Sequence, residues 1–279
     1  MIFGTAGVPR SLLGASHIDG LHEIGRLGLR AMELAFVRQV NVRPADAPKV
    51  RAAAEQYGIS LSVHAPYYIN LNSRDARIVQ ASRQRILGAA RVGCLCGAQY
   101  IVFHAAWRHD SDPLDLYEVV GSELLEISSR LDAEGNGVWL CPETMGRGVQ
   151  FGTVDEVLRL AQDIPRVRPC LDFAHLHAMQ GHTNTEQEYE AVLDAVALAL
   201  GPRALCDLHM HVSGIAYGPR GEKKHLPLAE SDFDYAGLLR VLHRRRVSGR
   251  VICESPTNDS DALMLSRLWC NVNGSAEVV

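Results

Sequence analysis

Nowhere in these 279 residues does an apolar run last long enough to cross a bilayer, because Arg, Glu, Asp or Gly interrupts every candidate. The opening MIFGTAGVPR has no basic region followed by an apolar stretch, so no secretory leader is expected and the reading is a cytoplasmic protein. Cysteines number seven, an odd count, and Cys94 and Cys96 have one residue between them, not the two of a zinc knuckle or redox pair. Cys141, Cys170, Cys206 and Cys253 lie in apolar runs, which suits small buried residues in a reducing compartment; no cysteine is assigned to chemistry. A Gly-x-Ser-x-Gly elbow is missing, so no serine nucleophile is expected. Positive charge is not in excess: 28 Lys and Arg stand against 32 Asp and Glu, a net charge of −4. That excludes a uniformly basic nucleic-acid binder but leaves room for a local basic rim. Linkers rich in Pro or Ser, charge blocks and low-complexity tracts are absent as well, so residues 1–279 read as a single domain.

Short strand-like runs alternate with longer amphipathic stretches. The runs are roughly 1–4, 32–36, 61–64, 100–104, 138–143, 168–172, 205–211 and 251–254. Between them, 46–57, 75–96, 114–131, 154–162 and 186–200 repeat apolar residues at three- and four-residue spacing. Eight strands with intervening helices predict an α/β fold, a single (β/α)₈ TIM barrel. Two connections stand out: 212–232, long and rich in Gly, Lys and Pro, and 67–74, which begins with two tyrosines.

The chemistry gathers at the strand ends. His64 closes the third run, His104 the fourth and Glu143 the fifth; Asp172 closes the sixth with His175 a turn later, His209 and His211 the seventh, and Glu254 the eighth. The C-terminal ends of parallel barrel strands converge on one mouth, so six consecutive strands aim imidazoles and carboxylates into one place. A single strand-end histidine is more often a core residue with a satisfied hydrogen bond. Six in succession are not, because clustered buried carboxylates repel one another unless cations intervene. Such donors suit Zn²⁺ or Mn²⁺, with carboxylates bridging two ions. Glu222 and His225, in GPRGEKKH, leave the same mouth and can close a further site with His175. His109, His182 and His243 read as solvated, and His177 as at most a support for the ligands.

In order along the chain, HAPYYINL (His64 to Leu71), VFHAAW around His104, ETMGRG from Glu143, LDFAHLHA around Asp172 and His175, HMHVSGIAYGPRGEKKH (His209 to His225) and ICESP around Glu254 form one set. The set resembles the endonuclease IV family, the apurinic/apyrimidinic endonucleases among the xylose-isomerase-like barrels. The resemblance implies a monomeric DNA-repair hydrolase with three Zn²⁺ ions, Mn²⁺ being an alternative, that cuts duplex DNA at the phosphodiester 5′ to abasic sites. It implies that His64 and His104 hold one ion and that Glu143 bridges it to a second. Asp172, His209 and Glu254 complete the second site, while His175, Glu222 and His225 hold the third. Glu143 and Glu254 are then the catalytic carboxylates, and Arg38, Tyr67 and Tyr68 contact DNA. Departures from the family pattern are Asp172-Phe173-Ala174-His175 where Asp-Thr-Cys-His is usual, no Pro-Gly after His104, and Glu222 in place of Asp with one extra residue before His225. His211, Ser213 and Gly214 replace Asn-Asp-type residues after the strand-seven histidine, which leaves open whether His211 joins or replaces His209.

The implied chemistry suits the donors. A water shared by two cations becomes hydroxide near neutral pH, because the ions lower its pKa from about 16 toward about 7. Further ions neutralise charge developing on phosphate oxygens. Arg38, Arg74, Arg108, Arg147, Arg220, Lys223 and Lys224 fall in segments expected on the same face and would form the basic rim. The alternative is a metal-dependent sugar isomerase or epimerase on the same barrel, which manages with one or two ions and about four ligands. A non-catalytic metal or nucleic-acid binding protein is a third reading, disfavoured by so full a ligand set.

Overall fold

The computed structural model describes residues 1–180 and 183–274. In chain order the strands are β1 (Ile2–Ala6), β2 (Ala31–Ala35), β3 (Ser60–His64), β4 (Tyr100–Phe103), β5 (Ala106–Trp107), β6 (Trp139–Pro142), β7 (Gln150–Phe151), β8 (Cys170–Asp172), β9 (Leu208–Val212), β10 (Gly214–Gly218), β11 (Gly221–Leu226) and β12 (Gly249–Cys253). The helices are α1 (His17–Arg26), α2 (Ala47–Gln56), α3 (Ala76–Cys96), α4 (Pro113–Ala133), α5 (Val154–Asp163), α6 (Phe173–Gln180), α7 (Glu186–Leu200), α8 (Tyr235–Arg244) and α9 (Asn258–Gly274). None is long and apolar enough to cross a membrane.

Eight strands form one parallel sheet in the order β6-β4-β3-β2-β1-β12-β9-β8. Its two edges meet through isolated parallel bridges, Leu140 with Val167 and Glu143 with Cys170. Backbone bonds stitch this seam: Leu140 N to Arg166 O at 2.8 Å, Arg168 N to Leu140 O at 2.9 Å and Thr144 N to Cys170 O at 3.0 Å. The result is a (β/α)₈ barrel, as the alternating pattern predicts.

Helix starts follow from local chemistry. Ser16 and Asp19, Thr153 and Glu156, and Thr185 and Glu188 form reciprocal capping boxes on α1, α5 and α7, each stabilising its helix by about 1 kcal/mol. The helices bury stripes such as Leu21 and Ile24, Ile86 and Ala90, or Val120, Leu124 and Ile127 against the outside of the barrel.

Some expectations change. The seventh barrel strand begins at Leu208 and continues to Val212, because Pro202–Cys206 winds into a 3₁₀ turn that leaves Cys206 exposed rather than in the core. The 212–232 segment is a β10–β11 hairpin followed by a 3₁₀ turn, not an irregular loop. His243 is half-buried, with its ring against Trp269 at 5.7 Å. His109 is exposed as expected, and His182 lies outside the described residues.

Candidate metal centre

The strand ends deliver their side chains to one point. His64, the last residue of β3, is buried, and its Nε2 lies 3.3 Å from Glu143 Oε2. His104 follows β4 directly, and its Nε2 lies 3.1 Å from the same oxygen. The other oxygen of Glu143, Oε1, lies 3.2 Å from His175 Nδ1 and 3.2 Å from His211 Nδ1. Glu143 thus faces two sets of donors with its two oxygens. Three groups result in which every donor atom is within 4.8 Å of the others: His64–His104–Glu143, Glu143–Asp172–His211–Glu254 and His175–Glu222–His225.

Asp172 is placed by a strand-to-helix transition. It ends β8, and its Oδ1 accepts the backbone N–H of His175 at 2.7 Å in the first turn of α6. That bond explains the Asp-x-x-His spacing: one residue caps, and the other swings into the mouth. Thr144 locks both, its Oγ1 accepting from Asp172 N at 2.8 Å and its carbonyl lying 3.0 Å from His175 Nδ1.

The third group depends on a bulge. Residues three apart on a regular strand point to opposite faces. Along the hairpin Ile215 pairs with His225 and Ala216 with Lys224, but Tyr217 pairs with Glu222, so Lys223 is the extra residue. This shift returns Glu222 and His225 to one face, with Glu222 Oε1 3.9 Å from His225 Nε2. Close approach on the opposite side requires glycine: a Cβ on Gly146 would lie 2.9 Å from Glu222 Cβ and 3.1 Å from His175 Cδ2.

His209 does not join Glu143, Asp172 and Glu254; His211 takes that place. Both residues project from the same face of β9, since side chains two apart share a face, but His211 is paired in register with Asp172 at the mouth while His209 sits one step deeper, level with Cys170. There His209 Nε2 meets Glu33 Oε2 at 3.0 Å. Glu33 is fully buried in β2, touches both histidines, and escaped the sequence reading; the available signal was an acid inside the apolar run AMELAF. The donor atoms of Cys170 and His209 in this deeper layer and of His211 above them also lie within 4.8 Å of one another, a fourth group. Among the described residues His177 turns away from these donors: its Nε2 lies 3.1 Å from Asp232 Oδ1, and its ring packs on Tyr217 and Phe233, fastening the hairpin to α6.

The side chains fit divalent cations on geometric grounds. His64, His175 and His225 turn Nδ1 to the carbonyls of Ala65, Thr144 and Glu254 at 2.9, 3.0 and 3.1 Å, which leaves Nε2 as a bare lone pair. Those lone pairs then face carboxylate oxygens or each other; His175 Nε2 and His225 Nε2 are 3.4 Å apart. Such an arrangement is repulsive without a cation or proton between the atoms. Asp172, a member of the four-donor group, has its Oδ2 buried with no hydrogen-bond partner among the described residues, His175 Nδ1 lying 3.5 Å away.

Electrostatics of the protein alone show protons filling that need. Burial disfavours the imidazolium of His64, yet the hydrogen bond and charge of Glu143 prevail and raise its pKa to about 9. His175 is raised well above its ordinary value against the same burial cost, by Asp172 first and then Glu143. Burial works against the charged form of Glu143 too, but His211 and His104 hold it well below the usual carboxylate range. Asp172 goes the other way: burial outweighs His175, and its pKa is raised.

A cavity of about 340 Å³ opens above these groups, lined by Tyr67, Trp107, Arg147 and Gln150 among others. The Tyr67 ring stands 5.4 Å from His64 and 5.8 Å from His104. Its hydroxyl pKa is raised by burial and by the nearby Glu254 and Glu143 charges. Tyr68, 60% exposed, faces a neighbouring groove with Ile78 and Trp107 instead. Arg38, Arg220, Lys223 and Lys224 are exposed, whereas Arg108 is tied to Glu156 at 2.7 Å and Arg147 donates to Glu222 O at 3.1 Å. Arg74 lies 3.6 Å from Asp110. The free part of the basic rim is therefore smaller than the sequence suggests.

This is a barrel whose strand ends gather donor groups that could hold metal ions, and the chain belongs to the xylose isomerase-like TIM barrel family, whose model matches residues 21–269. It is 38% identical over 270 residues to an uncharacterized protein of Methanocaldococcus jannaschii, covering 96% of this chain and 97% of that one. It is 25% identical over 216 residues to the "probable endonuclease 4" of Mycoplasma pneumoniae, covering 73% and 72%. Among solved structures, endonuclease IV from Thermus thermophilus superposes with a TM-score of 0.73 at 21% identity, covering 99% of this chain and 100% of that one. A D-tagatose 3-epimerase-like protein superposes with a TM-score of 0.76 at 18% identity, covering 100% of both.

Proposed function

We propose that the protein is a metal-dependent apurinic/apyrimidinic endonuclease that hydrolyses the phosphodiester 5′ to abasic sites in DNA. The observation that carries this reading is the third donor group. His175, Glu222 and His225 come together only through a dedicated bulged hairpin, in addition to the His64–His104–Glu143 and Glu143–Asp172–His211–Glu254 groups. Three adjoining groups match a phosphate whose non-bridging and leaving oxygens all need charge neutralised. The endonuclease 4 relatives support it at low identity.

Each residue has a role in that reaction. His64, His104, His175, His211, Glu222, His225, Glu143, Asp172 and Glu254 would hold divalent ions, Zn²⁺ first and Mn²⁺ as the alternative, which supply Lewis-acid charge and acidify water. Glu143, with one oxygen to each of two groups, fixes their separation. The carbonyl-bonded rings of His64, His175 and His225 need no reorientation. Tyr67 narrows the mouth and keeps bulk water from the phosphate, while Tyr68 is set outside it to stack on an unpaired base. Arg38, Arg220, Lys223 and Lys224 meet the backbone of the duplex.

A sugar isomerase or epimerase is the second reading. It is favoured by one observation: Glu143, Asp172, His211 and Glu254 alone make a complete four-ligand site. Zinc-loaded protein is offered a duplex with an abasic-site analogue and, separately, a set of ketoses. Cleavage on the 5′ side, falling steeply with salt and more sensitive to Tyr68→Ala than hydrolysis of a small phosphodiester, supports the nuclease. An intact duplex with interconverted ketoses would transfer the assignment to the sugar enzymes.

A further inference from the structure

His211 offers a different nitrogen from the other rings. His64, His175 and His225 bond a backbone carbonyl through Nδ1 and aim Nε2 at the site. In His211 the ring is reversed: Nδ1 lies 3.2 Å from Glu143 Oε1 and 3.4 Å from Glu254 Oε1, and Nε2 points inward, 3.1 Å from Glu33 Oε1. Among the described residues no backbone carbonyl bonds this ring; Nε2 and Glu33 Oε1, both buried and without any other hydrogen-bond partner, face each other as an ion-pair contact.

Glu33 is itself immobilised. Its Oε2 receives Ser62 Oγ at 2.7 Å and meets His209 Nε2 at 3.0 Å, and its side chain has no exposure. An acid between Met32 and Leu34 in a barrel strand is costly unless polar partners converge on it; here Ser62 and His209 hydrogen-bond Oε2, and the His211 ring lies against Oε1. A carboxylate accepts and does not donate, so the nitrogen facing it carries the hydrogen and the opposite nitrogen keeps its lone pair.

We propose that Glu33 is a positioning residue that fixes the His211 ring in the Nε2–H tautomer, so that Nδ1 is the nitrogen offered to the cation held with Glu143, Asp172 and Glu254. The inference rests on the metal-centre reading above. His209 is the companion that keeps Glu33 from rotating, and this gives the deeper, ligand-like histidine a purpose outside the metal groups.

The test compares wild-type protein with Glu33→Ala and with Glu33→Asp, which withdraws the carboxylate from both rings while keeping its charge. Zinc is titrated against a chromophoric chelator, and imidazole ¹⁵N shifts report which His211 nitrogen bears hydrogen. Folding is verified by circular dichroism in chelator. The expected result is a loss of affinity of roughly 10–100-fold for one ion only, with the other zinc equivalents unchanged and a mixed tautomer at His211. If Glu33→Ala does not fold, Glu33→Asp decides. A folded variant with wild-type affinity for every ion and an unchanged ¹⁵N signature would overturn the proposal. Wild-type protein that binds neither zinc nor manganese would instead overturn the metal reading on which it stands.

Discussion

Glu143 has no side-chain exposure and contacts four histidines, His64, His104, His175 and His211. Replacing it with alanine removes the carboxylate shared by two donor groups and leaves His64 and His104 without an ion-pair partner among the described residues. Glu143→Ala should therefore lower bound metal, lower the melting temperature of the metal-loaded protein, and cut hydrolysis by at least about 10²–10³-fold. Glu254→Ala should do the same, because the four-donor group then keeps only three ligands. Metal analysis with melting curves in the presence and absence of chelator checks both; full occupancy with wild-type turnover in either variant would refute the assignment. At this scale the sequence was legible wherever a polar residue ended an apolar run, as at His64, Glu143, Asp172 and Glu254. It failed at His209 and His211, since a period of two sends both inward and only the register with β8 decides which reaches the mouth. It failed at Glu33 because a lone acid in mid-strand has no spacing partner to announce it.

Elements decide whether the third donor group exists. Lys223 is the bulge residue of β11, and its removal would restore a regular ladder with Glu222 and His225 two apart, still on one face. Deleting Lys223 should leave the third ion in place. Deleting both Lys223 and Lys224 should turn one donor away and lose that ion, with barrel folding intact. Metal stoichiometry of the two deletions distinguishes these outcomes, and equal loss in both would contradict the register. The barrel strands and five of the helices were legible because their patterns repeat over many residues. The hairpin was not, because its Gly-rich, lysine-bearing sequence carries little apolar alternation and its order comes from contacts with α6 and the Tyr217–Asp232–His177 fastening.

For the molecule as a whole, the protons that stand in for cations set a pH dependence. His64 has a folded pKa of about 9 against an ordinary 6.5. Its contribution to the stability of metal-free protein is complete below 6.5 and is lost as pH rises through about 9. The metal-loaded protein must shed that proton, so its stability should rise over the same window. Melting curves from about pH 6 to about pH 9.5, with chelator and with zinc, should therefore diverge in slope. Parallel curves would show that His64 is not where protons and cations compete.

Glu143 and Asp172 also stand on opposite sides of the only junction where the barrel lacks a continuous ladder among the described residues. An ion held between them would then be a rivet through the wall of the molecule. Stripping it should let β6 and β8 part before any other pair, so the amide protons of Leu140, Thr144 and Arg168 should exchange with deuterium faster in chelator, while those along β2 and β3 keep their rate. Uniform acceleration across the barrel would show that the wall opens as one piece. If the rivet holds, losing metal costs this protein its closure as well as its reactivity, and the demetallated chain is the form most exposed to proteolysis.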